Sequence, residues 1–115
     1  MEVGRGEIWW ADLPSPVASA PGGFRPVLVV QAEAFNRSRI STVIAIALTT
    51  NERLADLPGN VLLTPRESGL KIPSVVNVSQ IITADRTFLR TRVRRLRGEV
   101  MARVDDGLRL VLALP

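Results

Sequence analysis

Gly22-Gly23-Phe24-Arg25-Pro26-Val27-Leu28-Val29-Val30-Gln31 sets an arginine at the mouth of an unbroken apolar run, with two glycines and a proline fixing the backbone around it. The run has the length of a strand and no polar face, so Arg25 to Gln31 reads as a strand buried on both sides. A second run of the same kind, Ser41 to Leu48, follows a polar turn at Glu33 to Ser38 and ends at Thr49-Thr50-Asn51. Two neighbouring strands without a polar face imply a sheet that curls or closes and is covered on its outside, by a helix or by another subunit. The charge is the anomaly. Desolvating an unpaired guanidinium is costly, so Arg25 is either paired with Glu7, Asp12 or Glu33 or waiting for an anion.

Working outward, Gly6 to Leu13 combines partial alternation with aromatic bulk and reads as a first strand. Ser15 to Gly23 is a loop of small residues punctuated by Pro16 and Pro21, and Asn51 to Pro58 is a second polar loop. Asn60 to Thr64 is a short strand and Pro65 to Gly69 a turn. In Ser74 to Ile82 the period of two puts Asn77 and Ser79 on one face, among apolar neighbours. Asp85 starts a helical turn, and Arg90 to Arg97 is a very basic last strand. Val100, Val104, Leu108 and Val111 then recur at helical spacing, so Glu99 to about Ala113 is an amphipathic helix, with Arg97 and Gly98 standing where its N-terminal cap is expected. Gly107 inside that helix costs roughly 1 kcal/mol relative to alanine, which points to close packing there. The whole of residues 1–115 is expected to be a single domain, mainly β with α: a small barrel with a closing helix.

Composition narrows the chemistry. The 115 residues carry 15 Lys and Arg against 11 Asp and Glu, a net charge of +4, and Lys71 is the only lysine. Arginine offers a planar fork suited to phosphate and carboxylate, although a high-GC genome gives the same bias, so the charge says only that polyanion partners are allowed. With no cysteine and no histidine, a disulfide framework, thiolate chemistry and a Ser-His-Asp set are excluded and a zinc site is not expected. The glycines form no phosphate loop and the carboxylates have no metal-ligand spacing, so neither metal nor cofactor is expected. No apolar run reaches the length of a membrane span and no leader precedes the first strand, which suits a soluble, cytoplasmic protein.

Catalysis in such a chain has to use Arg, Thr, Ser, Asn and carboxylates. RNA is the substrate for which that suffices, because its own 2′-hydroxyl attacks the adjacent phosphorus and the protein need only stabilise charge on the phosphoryl oxygens and move protons. An arginine at one strand mouth and the Thr49 hydroxyl at the end of the next could do the first; Thr49 could equally just end its strand. Asn77 and Ser79 could hydrogen-bond a base edge. Trp9 and Trp10 could stack bases, but alternation puts at least one of them in the core. Arg90 to Arg97 is open to three readings: a solvated edge, an RNA track, or a dock for an acidic partner.

Gly4 to Leu13, Arg25 to Gln31, Asn36, Leu48 to Asn51, Ser74 to Ile81 and the closing segment Leu96 to Leu114, in one register across nearly the whole chain, resemble the MazF/PemK toxins of toxin–antitoxin systems. The resemblance implies an SH3-like barrel of the CcdB/PemK type with a C-terminal helix, a homodimer, and metal-independent, sequence-specific cleavage of single-stranded RNA to 2′,3′-cyclic phosphate and 5′-hydroxyl ends. It also implies a cognate antitoxin whose acidic disordered tail covers the RNA groove. By position, Arg25 matches the family's catalytic arginine and Thr49 its catalytic threonine. Asn77, Ser79, Gln80, Phe24, Ser19, Thr50 and Asn51 are then expected to contact substrate, with the loop Pro14 to Phe24 gating the groove. Two departures matter: Ala20 stands where several members have Glu, and Asn77 and Ser79 where some have Arg and Asp or Glu, so the general base is unassigned. The resemblance leaves two further readings, a non-enzymatic toxin of the same fold that binds DNA gyrase through the end of its helix, and a catalytically inactive module that binds RNA or antitoxin.

Overall fold

The computed structural model describes residues 2–14 and 22–115. Six strands make one antiparallel curled sheet: β1 (Glu7–Leu13), β2 (Gly23–Val29), β3 (Thr42–Thr49), β4 (Val61–Leu63), β5 (Ser74–Asp85) and β6 (Leu89–Arg95), in the spatial order β4-β5-β3-β2-β1-β6. The turn expected at Glu33 to Ser38 holds a short helix, α1 (Glu33–Asn36); Pro65–Ser68 is a second, α2, and Gly98–Leu112 is the closing helix, α3. Single 3-10 turns occupy Glu52–Asp56 and Arg86–Phe88, the latter opened by Asp85, whose carboxylate accepts the Thr87 N–H as expected of that residue.

Val27 to Val29 and Ala45 to Leu48 are buried on both faces because each face carries its own core, while Ile44 earlier in the second run is exposed. On one side Ile8, Leu28, Ile46, Leu48, Leu63, Val76 and Val78 meet Val100, Met101 and Val104 of α3; on the other Trp9, Ala11, Val27, Val29, Val43 and Ala45 pack together with Leu89. Alternation decides the side: even positions of β2 face the helix and odd positions face away. Gly107 packs closely against Gly59, in the turn before β4, and against Val78 of β5. A Cβ there would overlap the Gly59 backbone, so the glycine that weakens α3 is what lets it seat.

The sheet is left open between its edge strands β4 and β6, and α2 sits against both. That four-residue helix is fixed by a capping box, in which Thr64 and Glu67 exchange side-chain and backbone hydrogen bonds, and by Gly69 in the left-handed conformation after it. The Arg94 guanidinium donates to the Arg66 carbonyl, tying the plug to β6. Gln31 and Asn36, part of the pattern that carries the family resemblance, are buried and bonded to each other: Gln31 Nε2 donates to Asn36 Oδ1 at 3.0 Å, and Asn36 Nδ2 donates to the Gln31 carbonyl at 2.9 Å. They hold α1 against the sheet.

Candidate active site

β2 and β3 part company at the residues of interest. Their ladder runs from Val29–Ala45 to Val27–Ala47 and stops, whereas β2 stays paired with β1 as far as Gly23 and β3 stays paired with β5 as far as Thr49–Val75. Pro26 has no N–H with which to extend the ladder. The result is a fork. Continuing the register by two residues sets Arg25, on the β1–β2 branch, opposite Thr49, on the β3–β5 branch, both on the side of the sheet away from α3.

Arg25 is half-buried, and its Nε donates to the Gly22 carbonyl at 3.0 Å. The carboxylates that the sequence offers as partners are engaged elsewhere: Glu7 with Arg92 and Arg95, Asp12 with Arg90, Glu33 with the Arg5 N–H and Asn36. Among the described residues both terminal nitrogens of Arg25 are uncommitted. Thr49 Oγ1 accepts the Asn51 N–H at 3.2 Å, which occupies a lone pair and leaves the hydroxyl proton to donate. The fork therefore presents up to five N–H and O–H donors and no paired carboxylate, an arrangement suited to an anion.

The next residues anchor the wall of the fork. Asn51 caps the 3-10 turn by accepting from Arg53 N–H at 3.2 Å, so its side chain is used internally; Thr50 is exposed. On β5, Val76 and Val78 point into the core under α3, and Asn77 and Ser79 point to the face that Thr49 shares. They are bonded to each other, Ser79 Oγ donating to Asn77 Oδ1 at 3.0 Å. The strand bulges here: two steps along β3, from Ile46 to Leu48, are matched by five along β5, from Ile81 to Val76. Gln80 is half-buried within this bulge.

Not every expected contact residue joins the fork. Phe24 is exposed, but alternation turns it to the face opposite Arg25, where it stacks on Trp10 with ring centroids 5.2 Å apart. Trp9 is buried. Ser19, and with it most of the loop between Pro14 and Phe24, lies outside the described residues. The basic strand β6 is a sheet edge whose Arg90, Arg92 and Arg95 pair with Asp12 or Glu7. One residue that the sequence reading passed over belongs to the site's frame. Asn60, taken only as the start of a strand, bonds to Leu54, Asn77 and Val78. Its sole local signal is the preceding Gly59, held at a φ of 83°.

At the far end of the β1–β2 hairpin, a cleft of about 600 Å³ is lined by Glu7, Glu33, Arg37, Arg86 and Arg95 among others. Burial alone would raise the Glu7 carboxyl, yet the Arg92 guanidinium, the Gly4 N–H and the Trp9 indole hold it below its ordinary value. Glu33 is held low by the Arg5 N–H and Asn36. Among the described residues no helix is long and apolar enough to cross a membrane.

Residues 4–112 match the family model described as a PemK-like, MazF-like toxin of type II toxin–antitoxin systems. The chain is 47% identical over 114 residues to endoribonuclease MazF2 of Mycobacterium bovis, covering 99% of this chain and 100% of that one. It is 38% identical to endoribonuclease EndoA of Bacillus subtilis, covering 99% and 97%. Among solved structures, a mycobacterial endoribonuclease in complex with its cognate antitoxin superposes with a TM-score of 0.77 at 25% identity, over 99% of this chain and 96% of that one. The forked sheet with its closing helix, the match along nearly the entire length and the identity to curated relatives agree, and the chain belongs to the PemK-like, MazF-like toxin family.

Proposed function

We propose that the protein is an endoribonuclease toxin that cuts single-stranded RNA at specific sequences without a metal. The observation that carries the reading is the fork itself: the terminal nitrogens of Arg25 and the hydroxyl proton of Thr49 on facing branches, with no anion among the described residues to use them. In the proposed reaction the RNA 2′-oxygen attacks the adjacent phosphorus, the P–O5′ bond breaks, and the 2′ proton is lost as O5′ gains one. The products are a 2′,3′-cyclic phosphate and a 5′-hydroxyl. Arg25 and Thr49 hydrogen-bond the non-bridging oxygens, whose charge grows in the transition state. Asn77 and Ser79 border the same face and would hold the RNA, with Gln80, Thr50 and Asn51 shaping the wall and Ser19 contributing from the loop, while Phe24, on the opposite face against Trp10, takes no part. The names of the relatives, endoribonucleases of which one solved example is bound to a cognate antitoxin, support this reading and a cognate antitoxin for this chain. A homodimer working in the cytoplasm completes the proposal.

The test is cleavage of a long single-stranded RNA in EDTA, with the ends mapped. We expect cutting at a short recurrent sequence, cyclic phosphate ends, and no cutting of DNA or of RNA carrying a 2′-deoxy sugar at the cleaved position. Loss of activity on chelation, or equal cutting of DNA, would refute the mechanism.

A second reading has its own observation. Leu110, Val111, Leu112 and Leu114 are exposed at the end of α3, a surface that a non-enzymatic toxin would use to hold a protein target such as DNA gyrase. Truncation before Leu112 should then abolish growth arrest while Arg25→Ala leaves it intact; the endoribonuclease reading expects Arg25→Ala to abolish it. RNA binding without cleavage across mixed sequence would instead select an inactive binding module.

A further inference from the structure

Asn60 has no role in the reaction as drawn, yet its three bonds leave it one orientation. Its Oδ1 accepts the Val78 N–H at 3.0 Å, and its Nδ2 donates to the Leu54 carbonyl at 2.9 Å. Both partners are backbone groups of fixed polarity: an N–H can only donate and a carbonyl can only accept. The amide cannot be turned over without placing donor against donor and acceptor against acceptor.

That certainty propagates. The second Nδ2 proton of Asn60 points at Asn77, 3.2 Å away, so the Asn77 atom that meets it must be the oxygen. The same oxygen lies 3.0 Å from Ser79 Oγ, which is therefore the donor in that pair. Two backbone groups thus fix the polarity of two side chains on the exposed face of β5. Asn77 turns its NH2 group outward with neither proton partnered among the described residues, and Ser79, its proton spent, offers only lone pairs.

We infer that Asn60 is a positioning residue that sets the specificity of the groove, holding Asn77 as a hydrogen-bond donor and Ser79 as an acceptor toward the RNA. The inference rests on the endoribonuclease reading for its substrate and deepens it. Asn77 would contact an acceptor of the bound nucleotide, a keto oxygen or a ring nitrogen, and never an exocyclic amine; Ser79 would take an N–H next to it. A reader whose amide could turn over would accept either polarity and discriminate poorly, whereas a locked one leaves its own buried donors unpaired against the wrong base. Asn60 also ties the segment after Thr49 to β5 through Leu54, so one side chain joins the two walls of the site.

The test has an arm that needs no RNA. In 15N-labelled protein the side-chain amide protons of Asn60 should exchange slowly with water and those of Asn77 quickly; the reverse pattern overturns the inference. The other arm maps cleavage ends on a mixed-sequence RNA for the wild type, Asn60→Asp, Asn77→Asp and Ser79→Ala. The N60D carboxylate can still accept from Val78 but cannot donate, so Asn77 should rotate to offer it the NH2 group and present oxygen outward. We expect its preference at one base position to change by about tenfold or more, with the other positions unaltered. Asn77→Asp, which removes both outward protons at constant size, should change the same position by a similar factor. Ser79→Ala, at an exposed site, should weaken discrimination there without reversing it. An unchanged preference in N77D overturns the inference even where N60D fails to fold. A wild type that cuts no RNA overturns the endoribonuclease reading instead, and the exchange arm still decides the orientation of the relay.

Discussion

The β1–β2 hairpin holds arginines at both ends, in opposite circumstances. At the Glu7 end, Arg92 Nε lies 2.6 Å from the buried carboxylate and Arg95 3.9 Å from it, while the Gly4 and Trp9 N–H groups take the other oxygen. At the other end Arg25 makes one bond, to the Gly22 carbonyl, and is paired with no carboxylate among the described residues; Asp12 nearby is taken by Arg90. Arg92 and Arg95 are exposed whereas Arg25 is half-buried, so shielding from water does not explain which cation carries a partner. Compensation does. A cation with a structural task is met by an anion whose hydrogen-bonding capacity is filled, and on the proposed reading a cation without a carboxylate among the described residues, beside a spare hydroxyl, is kept for a partner that comes and goes.

The comparison can be broken most directly at Arg25. Arg25→Ala should lower RNA cleavage by about 10³-fold, roughly 4 kcal/mol of transition-state stabilisation, with an unchanged thermal melt; a loss near tenfold would reduce Arg25 to a binding role. Thr49→Val should cost about 10²-fold in kcat with KM little altered. If KM rises and kcat holds, the hydroxyl binds the ground state instead. At the other end the readout reverses: Glu7→Gln should leave cleavage intact but lower unfolding stability by about 2 kcal/mol in urea, since it strips a charge-assisted bond from Arg92 inside a buried site. Reduced cleavage with unchanged stability would mean that the two ends are not separate.

Acid should act through the same end. The Glu7 and Glu33 carboxyls lie below their ordinary value of 4.5 in the folded protein, so their contribution is complete above that pH and is lost as the pH falls through the depressed values. The urea midpoint should drop as pH is taken below 4.5 and drop less in Glu7→Gln; equal curves would show that Glu7 does not titrate in that range. The smallest effect is expected from Arg90→Ala. Its pair with Asp12 is 3.6 Å apart with both partners more than half exposed, and exposed pairs contribute about 0.5 kcal/mol or less.

Much of the fold was legible because periodicity reports burial directly. The 3.6-residue stripe of α3, the two-faced apolar strands and the close seat of Gly107 all follow from residue type and spacing. Helix α1 was not legible: four residues are too few to show a period, and it is fixed by Gln31 and Asn36, a buried exchange of bonds that resembles an ordinary polar turn in sequence. The face of Phe24 was in principle readable, since a period of two separates it from its neighbour Arg25 whatever the loop does. Asn60 was not, because its meaning lies in Leu54 of the preceding 3-10 turn and in Asn77 and Val78, 17 and 18 residues away, which only the β4–β5 register brings within reach.

The bulge in β5 has a bearing on how such chains diversify. Its surplus residues lie between two stretches of regular β3–β5 pairing, Thr42–Ile46 with Ile81–Asp85 and Leu48–Thr49 with Val75–Val76, so the outward side chains at 77 and 79 can change without transmitting a register shift to either stretch. On the proposed reading, such a segment is free to drift under selection for a new target sequence while the scaffold stays under selection for stability. A family built this way can acquire many vocabularies with one grammar of folding.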